Sequence, residues 1–301
     1  MLHKISNQAT SITLGRTYIL FAGLLWSTGG PLIRLLDNAS EWQYLFYRSI
    51  ALSVSLFFLI NKKSFSTISQ FKKSGIASLI GGLFLSFAFV SFVFSITHST
   101  IANTLFMMSS APFIAGFLGW ILLKEQISKT QWTAMMIAFV GIVVMIQEGT
   151  SGDSFFGSLA AFITALGFAC FTVSLRWGKN KNMLPAVFYA GLITVVFCAA
   201  AILYEDEVLV ISLHDLLIAL GFGAFGLGFG LVLFVAGSYQ IQSAELILLS
   251  LIEVILGPVW AWMFFKEYPT QLTLIGGAIL LSAILFKTIA GMNTELKSTR
   301  V

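Results

Sequence analysis

Long apolar runs alternate with short polar breaks along the whole chain, and each run is the length of a membrane-crossing helix. A hydrocarbon layer about 30 Å thick is crossed by about 20 helical residues rising 1.5 Å each. Stretches of that length with little or no charge predict ten spans, at residues 17–36, 42–60, 75–96, 100–123, 130–147, 156–177, 185–203, 214–237, 243–265 and 271–290. From Ser74 to Leu123 there are fifty residues without Asp, Glu, Lys or Arg. That is too long for one span and suits two joined by a tight polar turn near Thr97 to Ser99. The first span has no convincing small-residue cleavage site and nine more follow it, so it is expected to stay in place as a span.

Composition agrees with the pattern. Hydrophobic residues make up 57% of the 301 and charged ones 10%, with a mean hydropathy of +0.92. Soluble domains carry about a quarter charged residues, so length alone, which would suggest two soluble domains, misleads. Charge then tests the number of spans. With the amino terminus in the cytoplasm, the inner segments hold Lys4, Arg16, Lys62, Lys63, Lys72, Lys73, Lys124, Lys129, Arg176, Lys179, Lys181, Lys287, Lys297 and Arg300, fourteen of the seventeen basic residues. The outer side keeps Arg34, Arg48 and Lys266 and gathers acids, among them Asp37, Glu41, Glu205, Asp206, Glu207, Asp215 and Glu267. Basic residues collect on the cytoplasmic side of membrane proteins, and nine or eleven spans would scramble this separation. Both termini are therefore expected to be cytoplasmic. The net charge of +4 is a topology signal, which removes the support for a nucleic-acid partner. Cys170 and Cys198 lie inside apolar runs without metal-ligand spacing, so neither a disulfide framework nor a zinc site is indicated.

A repeat is visible at one offset. Adding 142 carries Ala102-Asn103 onto Ala244-Glu245 and the Lys124-Glu125 pair ending span four onto Lys266-Glu267 ending span nine; at 140, Thr130-Gln131 falls on Thr270-Gln271. The expected halves are residues 1–150 and 151–301, five spans each. An odd number of spans per repeat forces the halves into opposite orientations about an axis in the membrane plane. The fold class expected is thus an all-α membrane protein of ten transmembrane helices arranged as two inverted five-helix repeats.

With Lys-Glu closing spans four and nine, the "GLLWSTGGPLIR" stretch from Gly23 to Arg34, "FYRS" from Phe46 to Ser49 and "AELILLSLIEVILGPVWAWMFFKEYPT" from Ala244 to Thr270, the chain resembles the EamA family of the drug/metabolite transporter superfamily over nearly its whole length. One departure is that Pro258 follows Glu253 by five residues, where many relatives place the proline directly after the acid. The resemblance implies a secondary-active, alternating-access transporter of a small metabolite in a bacterial inner (plasma) membrane, a monomer or weak homodimer working without a cofactor. Export of an amino acid or related metabolite is the leading expectation; import or exchange of a nucleotide derivative or quaternary amine is the alternative.

Five residues are candidates for substrate or proton binding. Glu253 is near the middle of span nine, where an acid disfavours insertion by roughly 2.5–3.5 kcal/mol and usually faces a cavity or partner; the other reading is a carboxyl that ties neighbouring helices together. Glu245, eight residues earlier, can border the same cavity or can sit at the helix start favoured by the dipole. Its repeat counterpart Asn103 lies near the outer end of span four, so the pair places one polar group toward each mouth, or else Asn103 serves packing alone. Arg48 can turn inward as a counter-ion or snorkel to the outer surface. Trp26 lies mid-span and walls a cavity or simply packs. Trp42, Tyr44 and Tyr47 read as interfacial aromatics, and His98 as a solvated turn residue. Gly221 to Gly226 matches GxGxxG, but inside a membrane span and without a preceding strand it is a packing element, supported by the Gly226-Gly230 pair. A membrane enzyme would need clustered nucleophile, base or metal ligands, and a channel a ring of like polar groups; neither is present in the sequence.

Overall fold

The computed structural model describes residues 2–61, 67–124, 127–146, 153–178, 183–238, 249–250 and 252–298. Among them every element is helical, and each predicted span falls on helix: α1 (Leu2–Trp26), α2 (Gly29–Arg34), α3 (Glu41–Asn61), α4 (Thr67–His98), α5 (Ile101–Met108), α6 (Ala111–Leu123), α7 (Lys129–Ile146), α8 (Asp153–Trp177), α9 (Leu184–Tyr204), α10 (Leu213–Gly221), a π-helical segment (Phe222–Phe229), α11 (Gly230–Ser238), α12 (Ile252–Phe265) and α13 (Gln271–Ser298). Six stretches are long and apolar enough to cross a membrane by length and composition, and two further apolar helices, Ile252–Phe265 and Gln271–Phe286, are shorter. The chain is an all-helical, multi-pass membrane protein.

Three spans that read as single helices are interrupted, and each interruption has a local cause. The first span breaks at Ser27 and Thr28, whose hydroxyls turn back to donate to the carbonyls of Leu24 and Leu25 at 2.7 Å. The fourth breaks at Ser109 and Ser110 ahead of Pro112, with the Ser109 hydroxyl donating to Phe106 O at 2.6 Å. Side-chain hydroxyls fill the carbonyls that a broken turn frees, and a proline in the first turn of the next helix gives up no needed N–H. The eighth widens into the π-helical segment across its glycine-rich stretch, an arrangement that favours functional sites. Gly223 permits it: a Cβ there would collide with the main-chain carbonyl of Arg48 in α3. At the other end of the register, Gly75 takes φ 70° and separates the start of α4 from its membrane-crossing part.

Spans four and nine end alike. Lys124 and Lys266 both adopt the left-handed conformation, each at φ 55°, which unwinds the last turn in the same way. These are the two lysines that the 142-residue offset superposes.

Most of the buried side chains form one core that runs through α1 to α5, α8, α9, the π-helical segment, α11 and α12. A second, smaller core joins α7 to α13 through Ala134, Ala138, Leu280 and Ala283. There Gly141 and Gly276 face each other so closely that a Cβ on either would press on the other's carbonyl, the close backbone approach typical of membrane helix pairs. Spans five and ten thus stand to one side, and spans one to four, six, eight and nine line a cavity.

Candidate functional site

The cavity has an empty volume of about 820 Å³ including its open side. Its walls are apolar and aromatic, from Phe89 and Phe92 of α4, Met108 of α5, Phe168 of α8 and Phe222 of the π-helical segment, and five polar side chains line it: Trp26, Arg48, Thr164, Ser250 and Glu253. The helix interruptions described above meet here. Trp26 ends α1 where the first span breaks, Met108 and Ala111 flank the break in the fourth, and Phe222 opens the π-helical segment.

Arg48 has turned inward. It is 1% exposed, and its guanidinium carbon lies 5.1 Å from the centre of the Phe89 ring and 5.6 Å from that of Tyr44, distances at which an aromatic face attracts a cation. Its Nε and Nη2 are buried without a hydrogen-bond partner among the described residues. Glu253 is 8% exposed and its Oε2 is likewise unpartnered. The indole Nε1 of Trp26 is a third buried donor in the same condition; the ring is held edge-on to Phe168 at 6.1 Å and tilted on Phe234 at 5.3 Å. No ion pair joins Arg48 to Glu253. A buried polar group without a partner is costly in an apolar interior.

The structure brings together three of the five residues singled out in the sequence. Asn103 is placed elsewhere: it is buried, and its side-chain amide donates to the hydroxyls of Ser99 and Ser158 at 2.8 Å, tying α5 to α8. Glu245 lies outside the described residues. Two bland expectations change. Tyr44, read as an interfacial aromatic, is fully buried beside Arg48. His98, read as a solvated turn residue, stacks on Phe94 with ring centres 3.9 Å apart and brings Nδ1 to 3.5 Å from Glu41.

The end of the molecule that carries Asp37, Ser99 and Glu267 is cross-linked by polar contacts that sequence patterns did not disclose. Asp215 in the first turn of α10 accepts the main-chain N–H groups of Asp37, Asn38 and Ala39 at 2.8–3.1 Å. Trp42 Nε1 donates to Glu205 at 2.9 Å and Gln43 to Val208 O at 2.6 Å. Arg34 Nε lies 3.1 Å from Glu267 Oε2, while Arg34 Nη2 donates to Ser99 O at 2.8 Å and Ile101 N to Glu267 Oε1 at 2.6 Å. Asp37, His214 and Asp215 gather their ligand atoms within 4.8 Å, but both Asp215 oxygens are already taken by backbone donors, so the cluster acts as a lock between two loops. The signal that could have found these residues was their charge in outer loops, and it could not say which acids meet which donors.

Comparison with known proteins follows the same lines. The EamA-like transporter family model matches residues 13–147 and again residues 155–289. The pseudopaline exporter CntI of Pseudomonas aeruginosa is 20% identical over 278 residues, 90% of this chain and 96% of that protein. An S-adenosylmethionine uptake transporter of Rickettsia prowazekii is 24% identical over 211 residues, 69% of this chain and 70% of its own. A solved crystal structure superposes with a TM-score of 0.67 at 16% identity over 95% of this chain and 99% of its own, a likeness of fold alone.

Proposed function

Because the chain belongs to the EamA-like transporter family and is a small-molecule transporter of the membrane, we propose that it is an alternating-access carrier of a small zwitterionic metabolite, an amino acid or a relative of one, working in the direction of export. One observation carries the substrate class: a buried guanidinium and a buried carboxyl group, Arg48 and Glu253, open into one aromatic-walled cavity, and neither is hydrogen-bonded to the other. Arg48 offers a fork of N–H donors suited to a carboxylate, and Glu253 a carboxylate for an ammonium group, with Trp26 Nε1 as a further donor. The apolar walls leave room for a side chain of modest size. Binding fills both unmet polar demands at once, whereas a ligand with one charge leaves the other exposed to hydrocarbon.

The remaining features of the proposal rest on the sequence. Charge asymmetry supports cytoplasmic termini in a bacterial inner membrane, and the 142-residue offset supports halves at 1–150 and 151–301 related by inversion. Transport then exposes the cavity to each side in turn, driven by a gradient of the substrate or of protons. The protein is not an enzyme in this reading, and it acts as a monomer or weak homodimer.

A second reading has its own support. Trp26, Phe89 and Phe168 around one carboxylate make a surface for a quaternary or sulfonium cation, and a relative is named for uptake of such a molecule. Counterflow in proteoliposomes separates the two. Vesicles preloaded with unlabelled neutral amino acids are expected to accumulate the labelled compound, and vesicles preloaded with betaine-free quaternary amines or sugars to stay flat. Accumulation with quaternary amines alone would establish the second reading in place of the first.

A further inference from the structure

Between the level of the cavity and the end that carries Asp37, Ser99 and Glu267, the first four spans present Ile33, Tyr44, Leu45, Val93, Ile96 and Ile101, all buried. These side chains form an apolar layer toward that end, the outer one by the charge distribution. Over this apolar layer lies a polar cluster that holds three cavity-lining spans to each other. Arg34 at the end of α2 pairs with Glu267 just after α12, and both reach the start of α5: Arg34 Nη2 to Ser99 O, and Glu267 Oε1 to the N–H of Ile101. The same three spans give Trp26, Glu253 and Met108 to the cavity.

We propose that Arg34, Glu267 and the N-terminus of α5 form the outer gate of the carrier, a clasp that must open before the cavity meets the outside. The proposal rests on the alternating-access reading and does not depend on the substrate.

Three properties fit a contact made to be broken. The first is its exposure. The side chains of Arg34 and Glu267 are 28% and 17% exposed, so water can reach both charges as they part, and a partly exposed ion pair is weak. Asp215, with three main-chain partners and no exposed surface, has the opposite character and stays shut. The second is position: Glu267 caps the first turn of α5, where unpaired N–H groups and the helix dipole favour an anion. Withdrawal of one carboxylate therefore releases the arginine and the helix end together. The third is in the sequence, where the 142-residue offset carries Arg34 to Arg176 and Glu125 to Glu267. Each half thus supplies an arginine near the end of its first span and an acid at the end of its fourth. Glu125 lies outside the described residues, and the gate proposed is the outer one alone.

The test uses the full-length protein in intact cells, with Cys170 and Cys198 replaced by serine and alanine and one reporter cysteine at the cavity position Thr164. An impermeant maleimide added outside reads how often the outer mouth is open. Glu267→Gln and Arg34→Gln are each expected to raise the labelling rate about tenfold, the shift in population that follows from deleting one contact made only in the closed state. The double substitution is expected to go no further than either single one. Arg34→Lys, which keeps the charge but cannot hold Glu267 and Ser99 O in one fork, is expected to fall between, and it serves as the working variant if a neutral substitution fails to reach the membrane. Labelling at the parental rate in Arg34→Lys, or in either neutral variant that accumulates normally, would overturn the proposal, as would fast labelling in the parent itself. Faster labelling alongside a cavity indifferent to zwitterions would retain the gate and remove only the substrate reading.

Discussion

The cavity and the end that carries Asp37, Ser99 and Glu267 treat their charged and hydrogen-bonding groups in opposite ways. At the outer face three acids have found their donors: Asp215 meets three backbone N–H groups, Glu267 an arginine and a helix end, Glu205 an indole. In the cavity Arg48 and Glu253 are more deeply buried than Arg34 or Glu267, yet they and Trp26 each keep a buried polar atom unmatched. Satisfied polar groups stabilise a structure, and unsatisfied buried ones lower its stability. On the reading proposed above, the outer contacts serve the fold and its gating, and the cavity groups serve a ligand.

Substitutions can break this comparison on either side. The largest effect is expected at Arg48→Gln. It removes the fork that meets a carboxylate, so kcat/KM for the transported compound should fall about a hundredfold, in the range for a charge-assisted hydrogen-bond pair. Thermal stability in detergent should hold or rise, because an unpaired buried cation has gone. A large drop in stability would mean that Arg48 is structural. Next is Asp215→Asn, which leaves one carbonyl oxygen to serve three N–H donors. Here the sign reverses: stability should fall by about 2 kcal/mol, the scale of a lost hydrogen bond to a charged group, with substrate KM unchanged, and thermal unfolding followed by tryptophan fluorescence reads the loss. Glu253→Gln should insert in normal amount and lower transport about tenfold, a loss of roughly 1.4 kcal/mol. Near-normal rates in proteoliposomes after equal incorporation would return Glu253 to a helix-tying role. Smallest is Trp42→Phe, which deletes one exposed hydrogen bond to Glu205 and should cost about 0.5–1 kcal/mol of stability with no change in transport.

Much of this was legible in the sequence, and the reasons differ by residue. Span number and fold class followed from apolar length and from lysines and arginines on alternate loops, because hydrocarbon imposes both on any crossing helix. Glu253 stood out for the same reason: an acid in the middle of a span needs a partner or a cavity. Arg48 was left between snorkelling and turning inward, since seven residues into a span allows either, and only the packing of Tyr44 and Phe89 against it decides. The breaks in spans one and four were hidden because Ser27, Thr28 and Ser109 are unremarkable in a helix until their hydroxyls turn back on its carbonyls. Arg34 and Glu267 were visible as charges and invisible as a pair. They are 233 residues apart, and no local pattern links the end of one helix to the loop beyond another.

The central claim, that Arg48 and Glu253 grip the two ends of one zwitterion, is met most directly by competition in proteoliposome counterflow. The competitors are a transported amino acid, its methyl ester and its deaminated acid, measured against wild type, Arg48→Gln and Glu253→Gln. In wild type the intact zwitterion should compete best. Arg48→Gln should lose the distinction between acid and ester while keeping the demand for an amine, and Glu253→Gln should lose the distinction between amine and deaminated acid while keeping the demand for a carboxylate. Both substitutions leaving both preferences intact, or each weakening all three compounds equally, would contradict the account.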